Sequence, residues 1–157
     1  MRTIGAAVAF VCVLVAGALV PAFAQEGCAP DQEKLGVSRT VAINAANGPA
    51  FGMQYKGQSL LADGEVVLTF DDGPSRAHTR AILETLAAQC TKATFFMVGQ
   101  MALSDPEYVK EVARRGHTVG THTWSHANLH GLSQARAQDE IELGFSVVQQ
   151  ALGKPIA

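Results

Sequence analysis

The chain reads as an α/β fold built on parallel strands. Three features say so: continuous apolar runs at 66–70 and 93–98, an amphipathic helical stretch after each, and Gly- or Pro-marked turns between them. Strands apolar on both faces belong to sheets covered by helices. Their alternation with helices calls for parallel strands joined by right-handed crossovers.

Taken in order, Met1 and Arg2, an apolar stretch from Ile4 to Val20 and the small-residue pattern of Ala22 and Ala24 predict a signal peptide over residues 1–24, cleaved after Ala24. An apolar stretch of this length sits at the lower edge of what spans a bilayer, so an uncleaved anchor is the alternative. Residues 25–64 are rich in Gly, Ala, Asn and Gln, lack a sustained period, and read as a lead-in with at most a short strand or turn. The domain proper is expected over 65–157. Its first strand is Val66-Val67-Leu68-Thr69-Phe70, followed by a helix from Arg76 to Gln89 with Ile82, Leu83 and Leu86 on one face.

The second strand is the run Ala93 to Val98. Its helix starts at Ser104, three residues before Glu107 as in a capping box, with Pro106 in the first turn. Tyr108, Val109, Val112 and Ala113 face inward, and Gly116 ends the helix. A third, weaker strand is Thr118-Val119-Gly120. The last helix runs from Ser133 to Leu152, with Ile141, Phe145, Val148 and Leu152 as its inward stripe, and Gly153 and Pro155 stop it.

Removing 24 residues from the 157 leaves 133, enough for one domain. With Arg2 gone, 11 basic residues face 14 acidic ones, a net charge of about −3 without a basic cluster, which argues against a nucleic-acid or anionic membrane partner. The hydrophobic fraction of 48% is inflated by the leader. Once Cys12 leaves with it, Cys28 and Cys90 are the sole pair in an exported chain and can form one disulfide.

The chemistry concentrates at strand ends. Asp71 and Asp72 follow the first strand, and His122 and His126 follow the third, at the edge where parallel α/β folds place their sites. Adjacent side chains on an extended backbone point apart, so one carboxylate can ligate a metal while its neighbour faces a bound water. Histidines four apart would share a face on one helical turn. With Asp72 they make two imidazoles plus one carboxylate, a set with an open position that suits Zn²⁺ best and admits Co²⁺, Ni²⁺ or Mn²⁺. An aspartate-nucleophile phosphatase is disfavoured, because that class separates its two aspartates by one residue.

Thr69-Phe70-Asp71-Asp72-Gly73-Pro74, Ala93-Thr94-Phe95-Phe96 and His122-Thr123-Trp124-Ser125-His126 together resemble the polysaccharide deacetylase family, the NodB-homology domain of carbohydrate esterase family four. The resemblance covers roughly Val66 to Ile156. It implies the N-terminal part of a distorted (β/α) barrel and a hydrolase that removes acetyl groups from chitin-like or peptidoglycan sugars, which the leader would export to the periplasm or the exterior. It further implies that Asp71 is the general base and that Asp72, His122 and His126 are the metal ligands. A carbohydrate polymer or oligomer is then the partner, with no stable membrane insertion after leader cleavage.

The family's general-acid histidine and its Arg and Pro-Tyr motif would fall beyond Ala157. With a barrel needing about 250 residues, the chain is expected to be an N-terminal portion, marginal on its own. A non-catalytic metal- or glycan-binding remnant is the rival reading. His78, His117 and His130 are poor substitutes for the acid. His117 and Thr121 are expected to orient the ligands, and Trp124 is open between sugar stacking and packing.

Overall fold

The computed structural model describes Cys28, residues 33–41 and residues 60–156. The expected signal peptide and most of the lead-in lie outside the described residues. Within 60–156 the order is β1 (Thr69–Gly73), α1 (Thr79–Ala88), β2 (Thr94–Met97), α2 (Gly99–Ser104), α3 (Pro106–Arg114), β3 (Thr118–Thr121), a 3-10 turn (Leu129–Gly131) and α4 (Gln134–Leu152). The three strands are parallel and stand in chain order, β1-β2-β3, which is the α/β class expected. Among the described residues, no helix is long and apolar enough to cross a membrane.

Register explains the core. Phe70, Phe95 and Val119 stand in one row across the sheet, Thr69, Thr94 and Thr118 in the next, and alternate rows face opposite sides. Phe95, Met97 and Val119 are buried with Leu83 and Leu86 of α1, Val109 and Val112 of α3 and Val148 of α4 in one cluster, and the Phe70 ring stacks on Phe95 at 5.2 Å. The threonine row lies on the other face. β2 was expected to be covered on both faces, but its burial alternates, because the helices pack on the Phe95 side.

Several boundaries move for physical reasons. Val66 and Val67 are not strand residues and are 80% and 61% exposed, since pairing with β2 begins only at Thr69. Helix α1 starts at Thr79 because Ser75 holds a turn, its carbonyl accepting from the Thr79 N–H while its own N–H donates to Thr79 Oγ1 at 2.8 Å. The expected capping box does not form. Ser104 closes α2, donating its hydroxyl to the Gln100 carbonyl, and Asp105 is the N-cap of α3, its carboxylate paired with Arg76 at 2.6 Å.

The inward stripe of α4 is Gly144, Val148 and Ala151, whereas Ile141 and Phe145 are 51% and 44% exposed. Small residues carry no apolar signal, yet they let the helix approach closely. Ser133 caps α4 and Gly153 ends it at φ 75°.

The lead-in is tied to the end of α1. Cys28 and Cys90 are disulfide bonded, and the Gly36 N–H donates to the Gln89 carbonyl at 3.0 Å. Arg39 pairs with Glu65 at 2.6 Å and also donates to the Leu60 carbonyl; the guanidinium hydrogen bond holds the Glu65 carboxyl down to about 2.

Candidate metal centre

Asp72, His122 and His126 converge at the carboxyl edge of the sheet. Each offers one ligand atom, and the three atoms lie within 4.8 Å of one another. Asp72 Oδ1 stands 3.6 Å from His122 Nε2 and 3.4 Å from His126 Nε2. The two imidazole centroids are 4.9 Å apart.

Asp72 is aimed by an irregularity in β1. Between Phe70 and Gly73 the strand spans three residue steps while β2 spans two, from Phe95 to Met97, so β1 carries one extra residue. Such a bulge turns a side chain away from its regular direction. Asp72 has φ 67°, in the left-handed region, and Asp71 beside it is exposed.

The histidines are brought together by a loop, which corrects the helical turn expected from their spacing. His122 extends the pairing of β3, its N–H donating to the Met97 carbonyl at 2.8 Å. Thr123 and His126 then adopt φ 62° and 60°, reversing the chain so that His126 folds back, with its N–H donating to Thr123 Oγ1 at 3.1 Å. For a β-branched threonine this region is a steric outlier that the surroundings must enforce.

Those surroundings are α2 and α4. The N–H groups of Gly99 and Gln100 donate to the carbonyls of Thr123 and Trp124. Glu140 of α4 accepts from the Ser125 N–H at 2.8 Å and from the Ser125 hydroxyl at 2.7 Å. A Cβ on Gly144 would stand 2.4 Å from the Thr123 carbonyl carbon, and one on Gly99 would stand 2.7 Å from Trp124 Cε3, so both glycines are needed for the loop to pass between the helices.

Sequence reasoning missed Glu140, Gly99 and Gly144. The mid-helix glycine was the available signal, since glycine costs a helix about 1 kcal/mol without a packing reason.

His117 precedes β3 and so lies at the strand's opposite end from His122, which rules it out as an orienting partner. It is 7% exposed, accepts from the Ala93 N–H at Nδ1, and meets the Phe95 ring edge-on at 5.4 Å. Desolvation first, then the positive charges of Lys92 and Arg115, push its pKa down to about 4. Thr121 is the last residue of β3, paired with Met97. His78 contacts Ser75 at the start of α1, and His130 sits in the 3-10 turn. Trp124 packs against Gly99 and also borders an open depression along α4 that none of the three converging residues lines.

The donor set fits a divalent cation. Two ligands about 2.1 Å from a tetrahedral ion stand about 3.4 Å apart, close to the two Asp72 to histidine distances observed. Imidazole nitrogen with carboxylate oxygen is a combination that zinc accepts readily.

The family model described as polysaccharide deacetylase matches residues 61–157. A peptidoglycan-N-acetylglucosamine deacetylase of Bacillus cereus is 44% identical over 77 residues, 49% of this chain and 28% of that protein. A chitooligosaccharide deacetylase of Azorhizobium caulinodans is 38% identical over 87 residues, 55% of this chain and 40% of that one.

Among solved structures, a family 4 carbohydrate esterase from Streptomyces lividans in complex with acetate superposes with a TM-score of 0.56 at 33% identity, covering 61% of this chain and 50% of that one. A mutant of a CE4 family pseudoenzyme with restored activity superposes at 0.54 with 27% identity, covering 57% and 33%. The chain spans less than half the length of these two curated relatives. With the family model spanning β1 through α4, this chain belongs to the polysaccharide deacetylase family.

Proposed function

We propose that this chain carries the metal centre and the base of a carbohydrate N-deacetylase, hydrolysing N-acetyl groups on an N-acetylglucosamine-containing oligo- or polysaccharide of the chitooligosaccharide or peptidoglycan type. The observation that carries the reading is the convergence of Asp72, His122 and His126 beside Asp71 at one sheet edge. Family membership and the names of the relatives support the choice of substrate.

Asp72, His122 and His126 would hold the cation, zinc by preference. When bound, it would supply Lewis acidity toward a water molecule and the acetyl carbonyl. Asp71 accepts the attacking water's proton at a carboxylate oxygen. The bond from acetyl carbon to sugar nitrogen breaks, giving acetate and a free amine, and the leaving nitrogen takes up a proton. His117, buried at the far end of β3, is not its donor. Export through a cleaved leader over residues 1–24 to the periplasm or exterior accords with the Cys28–Cys90 disulfide.

A second reading, a metal- or glycan-binding protein without turnover, is favoured by the pseudoenzyme among its structural neighbours. Acetate release from N-acetylglucosamine oligomers with added Zn²⁺, beside an Asp71→Asn variant, separates the two. Turnover that falls by about 10²–10⁴-fold in the variant supports the deacetylase. Absence of acetate from both proteins, with zinc still bound, supports the second reading.

A further inference from the structure

We propose that Glu140 is a positioning residue of the metal centre, its carboxylate fixing the loop between His122 and His126 in the conformation that turns both imidazoles toward Asp72. The inference rests on the reading that these three residues hold a divalent cation.

The loop has no ladder of its own to stabilise it. Residues 122–126 belong to neither helix nor strand, and two of them hold left-handed backbone conformations. Such residues are strained and persist only where neighbours over-determine them. On one side, α2 supplies N–H groups that bind the loop's carbonyls at Thr123 and Trp124. On the other side the Ser125 N–H and hydroxyl donate to Glu140. Both its oxygens are engaged by Ser125, whose N–H contributes most to lowering the Glu140 pKa.

Ser125 lies between the two histidines, directly before His126. Glu140 is absent from the group of converging ligand atoms, so it acts on the centre through the loop. Gly144, one turn further along α4, lets the helix come close enough for the contact. Partners that orient metal ligands typically contribute about 10–100-fold in metal affinity.

Cobalt(II) titration of the full chain, read by visible absorption and by competition with Zn²⁺, tests the proposal. Wild type is expected to take up one equivalent, and His122→Ala to abolish binding. Glu140→Ala should weaken binding by about 10–100-fold and alter the absorption envelope. Glu140→Gln, whose carboxamide oxygen still accepts one N–H, should fall between, and Ser125→Ala, which keeps the backbone N–H, should lose less than Glu140→Ala.

A folded Glu140→Ala with wild-type affinity and spectrum overturns the proposal while leaving the metal reading intact. Should Glu140→Ala not fold, unchanged affinity in both Glu140→Gln and Ser125→Ala overturns it. Wild type that takes up no cobalt removes both this inference and the reading beneath it.

Discussion

The two ends of β3 each carry histidine, and they do opposite things with it. At the amino end, His117 is enclosed by Phe95 and Ala93, is held neutral by desolvation, and serves the core as an acceptor. At the carboxyl end, His122 and His126 stand in a loop with two left-handed residues, facing an Asp72 that is itself left-handed. The amino end uses a polar ring to satisfy one backbone N–H. The carboxyl end leaves three donor groups turned toward one another, partly open to solvent. Position along the strand, rather than residue type, decides which histidine is structural.

The largest effects should separate the two ends by kind. Asp72→Ala or His126→Ala is expected to lower metal-dependent acetate release by at least about 10³-fold, the scale of a catalytic centre that loses its ion. Both side chains are exposed, so thermal stability without metal should change by less than about 1 kcal/mol. The comparison breaks if either variant retains wild-type turnover in the presence of Zn²⁺.

His117→Ala should show the reverse, costing about 2–4 kcal/mol through a cavity and an orphaned Ala93 N–H, with metal affinity kept within about threefold. Urea denaturation alongside zinc competition checks both halves. Gly144→Ala should act at the junction, because its Cβ would collide with the Thr123 carbonyl; a loss of about 1–3 kcal/mol together with weakened metal binding is expected. A Gly144→Ala protein unaltered in both respects would mean that α4 does not support the loop.

The smallest effect is a pH dependence at the amino end. The folded-state pKa of His117, about 4, lies below the ordinary imidazole value of 6.5. As pH falls, the unfolded chain is therefore protonated first. The stabilisation is fully present above about pH 6.5, is lost progressively toward pH 4, and amounts to about 1–3 kcal/mol. Urea midpoints at pH 7 and pH 4.5 should differ accordingly in wild type and much less in His117→Gln.

The sequence shows the strands because Phe95, Met97 and Val119 belong to strong β-forming runs, and it shows the chemistry because paired carboxylates and spaced histidines are rare companions. It conceals α2, whose six residues are too few to display a helical period, and so Ser104 reads as a cap instead of a helix end. It also misplaces the face of α4. Ile141 and Phe145 advertise burial, while Gly144 and Ala151 accomplish it silently. The histidine loop is illegible for a related reason: a four-residue spacing fits one helical turn as well as a reversed loop, and the choice depends on Glu140, fourteen residues beyond His126.

The measurement closest to the central claim is anomalous diffraction at the zinc edge from crystals of the zinc-soaked protein. We expect a single strong peak bonded to Asp72, His122 and His126 at about 2.0–2.2 Å, with Asp71 beside it and not bonded. A peak elsewhere, or none at that position, would contradict the account.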